Sequence, residues 1–255
     1  MIKILTIAGS DPSGGAGIQV DLKTFQALGA FGMAIPAALT FQNSKGVAGT
    51  EPVQPRALAR QLEVLLDDIR PDGIKTGMLL TKQAITAVAK SVTRHGIRNV
   101  IVDPIVRSTS GRLLLTSDGV NALKKQLFPL ALLVTPNIPE TEVLTGVRIR
   151  TDEDIDFAVG ILLDMGPKYV LIKGGHRSGP AVDTLYGGKQ VLEFSTDRQK
   201  GDFHGTGCVL SSAITVFIGQ GLAVEKAVER GKRFVEKMLK KAARVGREKT
   251  KYFQF

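Results

Sequence analysis

Cysteine is almost absent from this 255-residue sequence: Cys208 stands alone, which excludes a disulfide framework and leaves one thiol for chemistry or burial. Three scattered histidines without any paired Cys/His spacing exclude a structural zinc site. Tryptophan is missing and tyrosine occurs three times, so a surface that stacks bases has little to build on. No apolar run is long enough to span a bilayer; the first, Ile4 to Ala8, stops at Gly9-Ser10-Asp11-Pro12. The cytoplasm is the default location. What is present is enough for a core: 43% hydrophobic and 23% charged residues exclude disorder, and the length fits one large domain or two small ones.

The net charge of +10 is unevenly placed. Between Glu225 and Lys251 there are eleven Lys/Arg against four Asp/Glu. Along that segment Val224, Val228, Gly231, Val235, Met238, Ala242 and Val245 recur at spacings of four and three, one stripe of an amphipathic helix. Its charges therefore belong to a solvated face, and no nucleic-acid partner is expected.

Apolar runs of strand length alternate with helical patterns along the chain. Strands are expected at Ile2 to Ala8, Met33 to Leu39, Gly73 to Thr76, Val100 to Val102, Leu132 to Thr135 and Tyr169 to Lys173. Helices are expected at Gly17 to Leu28, Arg56 to Ile69, Thr81 to His95, Asp118 to Leu127 and Asp154 to Met165, with two more starting near Thr206 and Val224. Val182 to Tyr186 and Gln190 to Phe194 read as a hairpin across Gly187-Gly188-Lys189. No linker, repeat or composition break appears, so the expectation is one α/β domain over residues 1–255, with a mostly parallel sheet covered by helices on both faces. Ligands of such sheets sit beyond the carboxyl ends of the strands, and the informative residues fall there.

Gly205-Thr206-Gly207-Cys208 follows His204 and opens a helix. Two glycines let backbone approach a ligand, and the helix start aims unpaired amides and the positive dipole end at it, an anion hole. Cys208 in that first turn is expected to have its thiol shifted toward thiolate; a glycine-rich helix start with a buried cysteine is the alternative. The loop Gly9-Ser10-Asp11-Pro12-Ser13-Gly14-Gly15-Ala16-Gly17 matches neither a dinucleotide fingerprint nor a Walker A loop. Its Asp11, with Asp21 further on, offers carboxylates to polar groups of a substrate, or the glycines simply make a tight turn. Asp103 follows one strand and Asn137-Ile138-Pro139-Glu140 another; such hard oxygens suit Mg²⁺, while a helix cap explains Asn137 or Glu140, taken individually, almost as well. Lys173-Gly174-Gly175-His176 adds a cation at the same rim, unless the lysine is solvated. Anion hole, carboxylates, cation and a candidate nucleophile activator together describe phosphoryl transfer.

The same stretches, Ala8-Gly9-Ser10-Asp11-Pro12-Ser13-Gly14-Gly15-Ala16-Gly17-Ile18-Gln19, Leu39-Thr40-Phe41-Gln42-Asn43, Lys75-Thr76-Gly77-Met78-Leu79, Asp103-Pro104, Thr135-Pro136-Asn137, Lys173-Gly174-Gly175-His176 and His204-Gly205-Thr206-Gly207-Cys208, resemble the hydroxymethylpyrimidine/phosphomethylpyrimidine kinases of the ribokinase superfamily, in order over residues 8–213. The resemblance implies a ribokinase-like fold, Mg-ATP, and two successive phosphorylations of a pyrimidine carbinol in thiamine biosynthesis. It implies that Gln42 bonds the pyrimidine, with Asp21, Met78, Gly9, Asp11 and Val106 around it. Asn137, Lys173 and His176 then lie by the nucleotide, Asp103 and Glu140 organise Mg²⁺, and Gly205, Thr206, Gly207 and Cys208 form the catalytic turn, Cys208 as base or positioning group. A homodimer is usual in the superfamily. A pyridoxal/pyridoxine kinase is the runner-up, since it shares the Lys-Thr-Gly-Met and Gly-Cys signals. Two departures stand out: Arg107, a candidate for holding a substrate phosphate, and Phe41, which could narrow the pocket. Asn43 to Thr50, with two glycines, is a candidate closing loop.

Overall fold

A computed structural model describes residues 1–108, 111–174, 180–188 and 190–255. The chain runs β1 (Lys3–Ser10), α1 (Gly17–Ala27), β2 (Phe31–Asn43), β3 (Gly46–Pro52), α2 (Pro55–Asp68), β4 (Gly73–Thr76), α3 (Lys82–Arg94), β5 (Val100–Val102) and α4 (Ser117–Ala122). It continues through β6 (Leu133–Val134), α5 (Ile138–Thr145), α6 (Asp152–Asp164), β7 (Tyr169–Ile172), β8 (Ala181–Gly187), β9 (Gln190–Thr196), α7 (Thr206–Gly219), α8 (Val224–Leu239), β10 (Ala243–Arg244) and β11 (Lys251–Tyr252). One sheet in the order β3-β2-β1-β4-β5-β6-β7-β8-β9 forms the middle layer. Its centre, β2 to β7, is parallel, and β3, β8 and β9 add antiparallel edges.

Side chains alternate across the sheet as period two requires. Leu5, Ile7, Ile74, Val100 and Val102 pack with Leu58, Leu62, Ile85 and Val88 of α2 and α3 on one face. Ile101, Leu133 and Leu171 pack with Val209, Ile214 and Val228 of α7 and α8 on the other. The two-sided burial explains why the central strands carry continuous apolar runs. The chain leaves β1 toward β2 on one side and resumes at β4 on the other, so strand order reverses beside β1, the position at which sheets of this kind open a crevice at the carboxyl ends.

Three expectations change. Asn43 to Thr50 is not a loop: β2 continues to Asn43, turns where the Asn43 Oδ1 accepts from Lys45 N at 2.9 Å, and returns as β3, with a bulge between Phe41 and Gln42. The amphipathic stripe ends at α8, because Ala243–Arg244 leaves the helix to pair with Lys251–Tyr252, and Val245 is exposed. One charge of that segment turns inward: Lys232 is buried and donates to Asp183 Oδ2 at 2.7 Å. Its neighbours Lys226, Arg233 and Lys240 pair with Glu229 and Glu236 on the solvated face. Among the described residues no helix is long and apolar enough to cross a membrane.

Candidate active site

Each strand end delivers one component. The turn into α7 depends on Gly205, which adopts a left-handed φ of 81° and lies so close to the β1–α1 loop that a Cβ there would stand 1.9 Å from the Gly15 carbonyl. Gly207 presents a bare Cα to the strand ends: a Cβ would stand 3.3 Å from Lys173 Nζ and 3.9 Å from Asp103 Oδ2. Lys173, just past β7, donates to Asp103 Oδ1 at 2.8 Å and lies 3.7 Å from Glu140 Oε2. Asp103, just past β5, also accepts from Thr135 Oγ1 at 3.2 Å and from Ser211 Oγ of α7 at 3.2 Å. The helix start, the cation and the two carboxylates thus meet at one place.

Burial would raise the Asp103 carboxyl, but the Lys173 and Lys75 ammonium groups and its hydrogen bonds hold it below the usual range. Glu140 goes the other way: burial pushes it up, the Asp103 charge adds to that, and Lys173 offsets only part. Burial opposes a charge on Lys173 as well, yet Asp103 and Glu140 keep it firmly protonated. The same competition decides Cys208 against expectation. Burial pushes its thiol up to about 11, although Lys75 and a hydrogen bond from Gly17 N pull it down. The helix field does not overcome desolvation, so Cys208 is a neutral thiol at neutral pH.

Asp21 does not reach the crevice. It is on the buried face of α1, where its oxygens accept from Lys75 Nζ at 2.9 and 3.1 Å, Thr6 Oγ1 at 2.6 Å and Ser212 Oγ at 2.7 Å. Val106 is 1% exposed and packs in the same core cluster as Leu79, Ile85 and Val88. Asp11 is saturated by its own loop, accepting from Ser13 N, Ser13 Oγ and Ala16 N at 2.7 to 2.9 Å, and from His204 Nε2 at 2.9 Å. These bonds outweigh burial and keep its carboxyl below the usual range. Asp11 therefore shapes the loop and has no oxygen to spare for a substrate.

Asn137 and Glu140 form a reciprocal capping box at α5: each backbone N–H is taken by the other side chain at 2.8 Å. With Asp103 bonded to Lys173, Thr135 and Ser211, the carboxylates do not assemble a directly bound cation site; among the described residues no group of three His, Cys, Asp or Glu can hold a metal. They fit a cation carried on phosphates and reached through water. His176 lies outside the described residues. Arg107 is exposed and donates to the Gly111 carbonyl at 3.2 Å. Phe41 is 57% exposed and packs against Gly49, so it does not narrow the cleft.

Met78 closes over Gly9, where a Cβ would stand 2.5 Å from Met78 Cε. Gln42, on the opposite side of β2 from Phe41, lines a cleft of about 280 Å³ with Ser13, Ser44, Gly246 and Tyr252. Its Nε2 lies 2.8 Å from His204 Nε2. Sequence reasoning gave no role to His204, Lys75, Ser211 or Tyr252. A lysine inside the buried strand Gly73–Thr76 was the available signal for Lys75; Tyr252, in the tail, carried none.

With that geometry in place, comparison with known proteins decides the family. The profile of the phosphomethylpyrimidine kinase family matches residues 11–252. The chain belongs to that family. It is 39% identical over 247 residues to the hydroxymethylpyrimidine/phosphomethylpyrimidine kinase of Bacillus subtilis, covering 96% of this chain and 91% of that protein. It is 43% identical to the thiamine biosynthesis bifunctional protein ThiED of Geobacter sulfurreducens over 96% of this chain, and spans half of that protein's length. Among solved structures, the phosphomethylpyrimidine kinase of Clostridium difficile matches with a TM-score of 0.83 at 40% identity, covering 93% of this chain and 99% of that one. The Bacillus subtilis pyridoxal kinase, solved as an ADP complex, matches with a TM-score of 0.90 at 33% identity, covering 100% and 97%. Membership makes the chain a phosphotransferase with a ribokinase-like fold. Backbone agreement alone does not separate the two kinase types, since pockets differ by side chains on one scaffold.

Proposed function

We propose that the chain uses Mg-ATP to phosphorylate the carbinol of 4-amino-5-hydroxymethyl-2-methylpyrimidine, and then phosphorylates the monophosphate to the diphosphate in thiamine biosynthesis. The observation that carries the reading is the meeting of the Gly205–Gly207 turn with Lys173 and Asp103 at the strand ends. In the first step the carbinol oxygen attacks the γ-phosphorus, the bond from that phosphorus to the β–γ bridging oxygen breaks, ADP departs, and the carbinol proton goes to solvent. In the second step a phosphate oxygen of the monophosphate is the nucleophile. The amides at the start of α7 and the Lys173 ammonium face the charge that spreads over the transferring group. Cys208, as a neutral thiol, positions the attacking oxygen, and little base is needed where the transition state is loose. Asp103 and Glu140 would hold the hydration shell of Mg²⁺, which supplies charge neutralisation on the phosphates. Gln42 takes the polar edge of the pyrimidine and Met78 its ring.

Pyridoxal phosphorylation is the second reading, favoured by the backbone agreement with the Bacillus pyridoxal kinase; the family match and the higher identities favour the pyrimidine. ADP release measured side by side for the pyrimidine carbinol, its monophosphate and pyridoxal tests this. Turnover of both pyrimidines supports the proposal, and faster turnover of pyridoxal alone overturns it. A homodimer and a cytoplasmic location complete the reading, the first checked by mass in solution and the second by fractionation.

A further inference from the structure

His204 precedes the catalytic turn and has no part in the chemistry above, yet its ring is among the most constrained groups at the cleft. Its backbone N donates to the Lys251 carbonyl at 3.0 Å. Its ring meets Tyr252 edge-on at 5.4 Å between centroids, and a Cβ on Gly15 would stand 2.4 Å from its Cδ2. One atom, Nε2, lies 2.9 Å from Asp11 Oδ2 and 2.8 Å from the Gln42 amide.

Those two distances fix a proton. Asp11 already accepts from Ser13 and Ala16 and its carboxyl is held ionised, so it can only accept. Nε2 must therefore carry hydrogen, whether the imidazole is neutral or charged. A protonated Nε2 has no lone pair for the amide NH₂ of Gln42. The amide oxygen and nitrogen have nearly the same shape, and their assignment follows from the partners rather than from the outline. The consistent arrangement turns Oε1 toward His204, where it shares the Nε2 proton with Asp11, and turns the NH₂ toward the cleft.

We propose that His204 is a positioning and specificity residue: anchored by Asp11, it orients the Gln42 amide so that the cleft presents a donor, selecting substrates with an unprotonated ring nitrogen at that edge. This rests on the reading of Gln42 as the pyrimidine contact. A heteroaromatic carbinol with a lone pair at the ring position facing Gln42 is accepted, and one with C–H or N–H there is penalised. The Lys251–Tyr252 strand of the tail takes part by holding the ring in place.

The test compares His204→Leu, His204→Gln and Gln42→Leu on the pyrimidine carbinol and on its analogue with C–H in place of that ring nitrogen. In His204→Leu the KM for the pyrimidine should rise about tenfold or more with kcat within about threefold, the loss of one oriented hydrogen bond. His204→Gln places an NH₂ that can donate to both Asp11 and Gln42, and should restore KM to within about threefold. Discrimination against the C–H analogue should fall in His204→Leu and Gln42→Leu alike, and the double variant should be no worse than Gln42→Leu. An unchanged KM in His204→Leu, additive effects in the double variant, or no rescue by glutamine overturns the proposal. A readout free of substitutions is the ¹⁵N spectrum of the wild-type histidines at pH 8: a protonated Nε2 on His204 is required, and an unprotonated Nε2 refutes it. If the wild type does not turn over the pyrimidine at all, the proposed function fails, while the spectrum still decides the state of His204.

Discussion

The thiol of Cys208 offers the sharpest test of how the site works, because burial and the helix field act on it in opposite directions. Desolvation disfavours the thiolate and raises the pKa, as do the Asp21 and Asp103 charges; the Lys75 ammonium and the Gly17 N–H lower it, and the start of α7 favours the thiolate in the same sense. Burial wins, with the thiol at about 11. At pH 7 a group with that pKa is ionised in roughly one molecule in 10⁴, against about 3% for an unperturbed thiol, a difference of about 300-fold. Iodoacetamide should therefore alkylate the native protein at least about 300 times more slowly than the unfolded chain at pH 7, with a rate that climbs tenfold per pH unit through pH 10. Since the thiolate is so scarce, kcat should not follow it: the wild-type kcat should be level between pH 7 and 9. Cys208→Ser, which keeps a hydrogen-bonding atom in place, should stay within about tenfold of wild type. Cys208→Ala loses the positioning contact and should fall by about 10² in kcat with little change in KM. A wild-type kcat that rises tenfold per pH unit over that range, with a serine variant that is both level and a hundredfold slower, would show the thiolate to be a true base and refute the reasoning.

Three further outcomes follow from the buried charges. Lys75→Met removes the partner of Asp21 in a pair that is fully buried on both sides and should cost about 3–5 kcal/mol, read from the denaturant midpoint; loss of less than about 1 kcal/mol would refute the pairing as a source of stability. Asp183→Ala removes the acceptor of Gly174 N, 3.0 Å away, and leaves Lys232 buried without its anion; because the Gly174 bond fixes the chain just past Lys173, KM for ATP should rise about fivefold or more while KM for the pyrimidine stays put, and an equal rise in both would count against it. Lys173→Met strips the cation from Asp103 and Glu140, so Glu140, already raised by burial, should titrate higher still. An acid raised in the folded state stabilises the fold at low pH and loses that contribution as pH climbs from the unfolded value toward the folded one; the variant should show that fall above about pH 4.5 more steeply than wild type in thermal melts, and a parallel pair of profiles would refute it.

The central strands were legible almost to the residue. Gly73–Thr76 and Val100–Val102 lie where the sequence places them, because strands buried on both faces have no alternation with a solvated face and end where the turn residues begin. The return strand β3 was not, since Gly46-Val47-Ala48-Gly49-Thr50 has neither alternation nor bulk, and only the turn at Asn43 to Gly46 and pairing with β2 make it a strand. Helix α5 is eight residues with apolar positions off the helical period, so the pattern hides it; the residue types of Asn137 and Glu140 suit a cap, and the structure joins the two in one reciprocal box. The carboxylates show where reading a rim from sequence runs out. Asp21 falls between Val20 and Thr24 on the face that α1 buries, so it needed an internal cation more than a substrate. Lys75, in a strand with no exposed residue, is that cation, and the two unexplained buried charges account for each other.

The same accounting explains how a cation and two carboxylates share one rim. A lone ammonium or carboxylate at this depth would be costly. Lys173 is instead held by Asp103, just past β5, and approached by Glu140 of α5, and Asp103 is further held by Thr135 and Ser211. On the proposed function, transferable phosphate enters by competition: it must offer Lys173 and the α7 amides more than Asp103 does. A doubly charged γ-phosphoryl group can do so where a neutral or singly charged ligand cannot, since Lys173 gives up one carboxylate bond in the exchange. On that reading selectivity for a polyphosphate follows from the Lys173–Asp103 ion pair itself, and the bare Cα of Gly207, which leaves open the space beside Lys173 Nζ, is what keeps that exchange sterically possible.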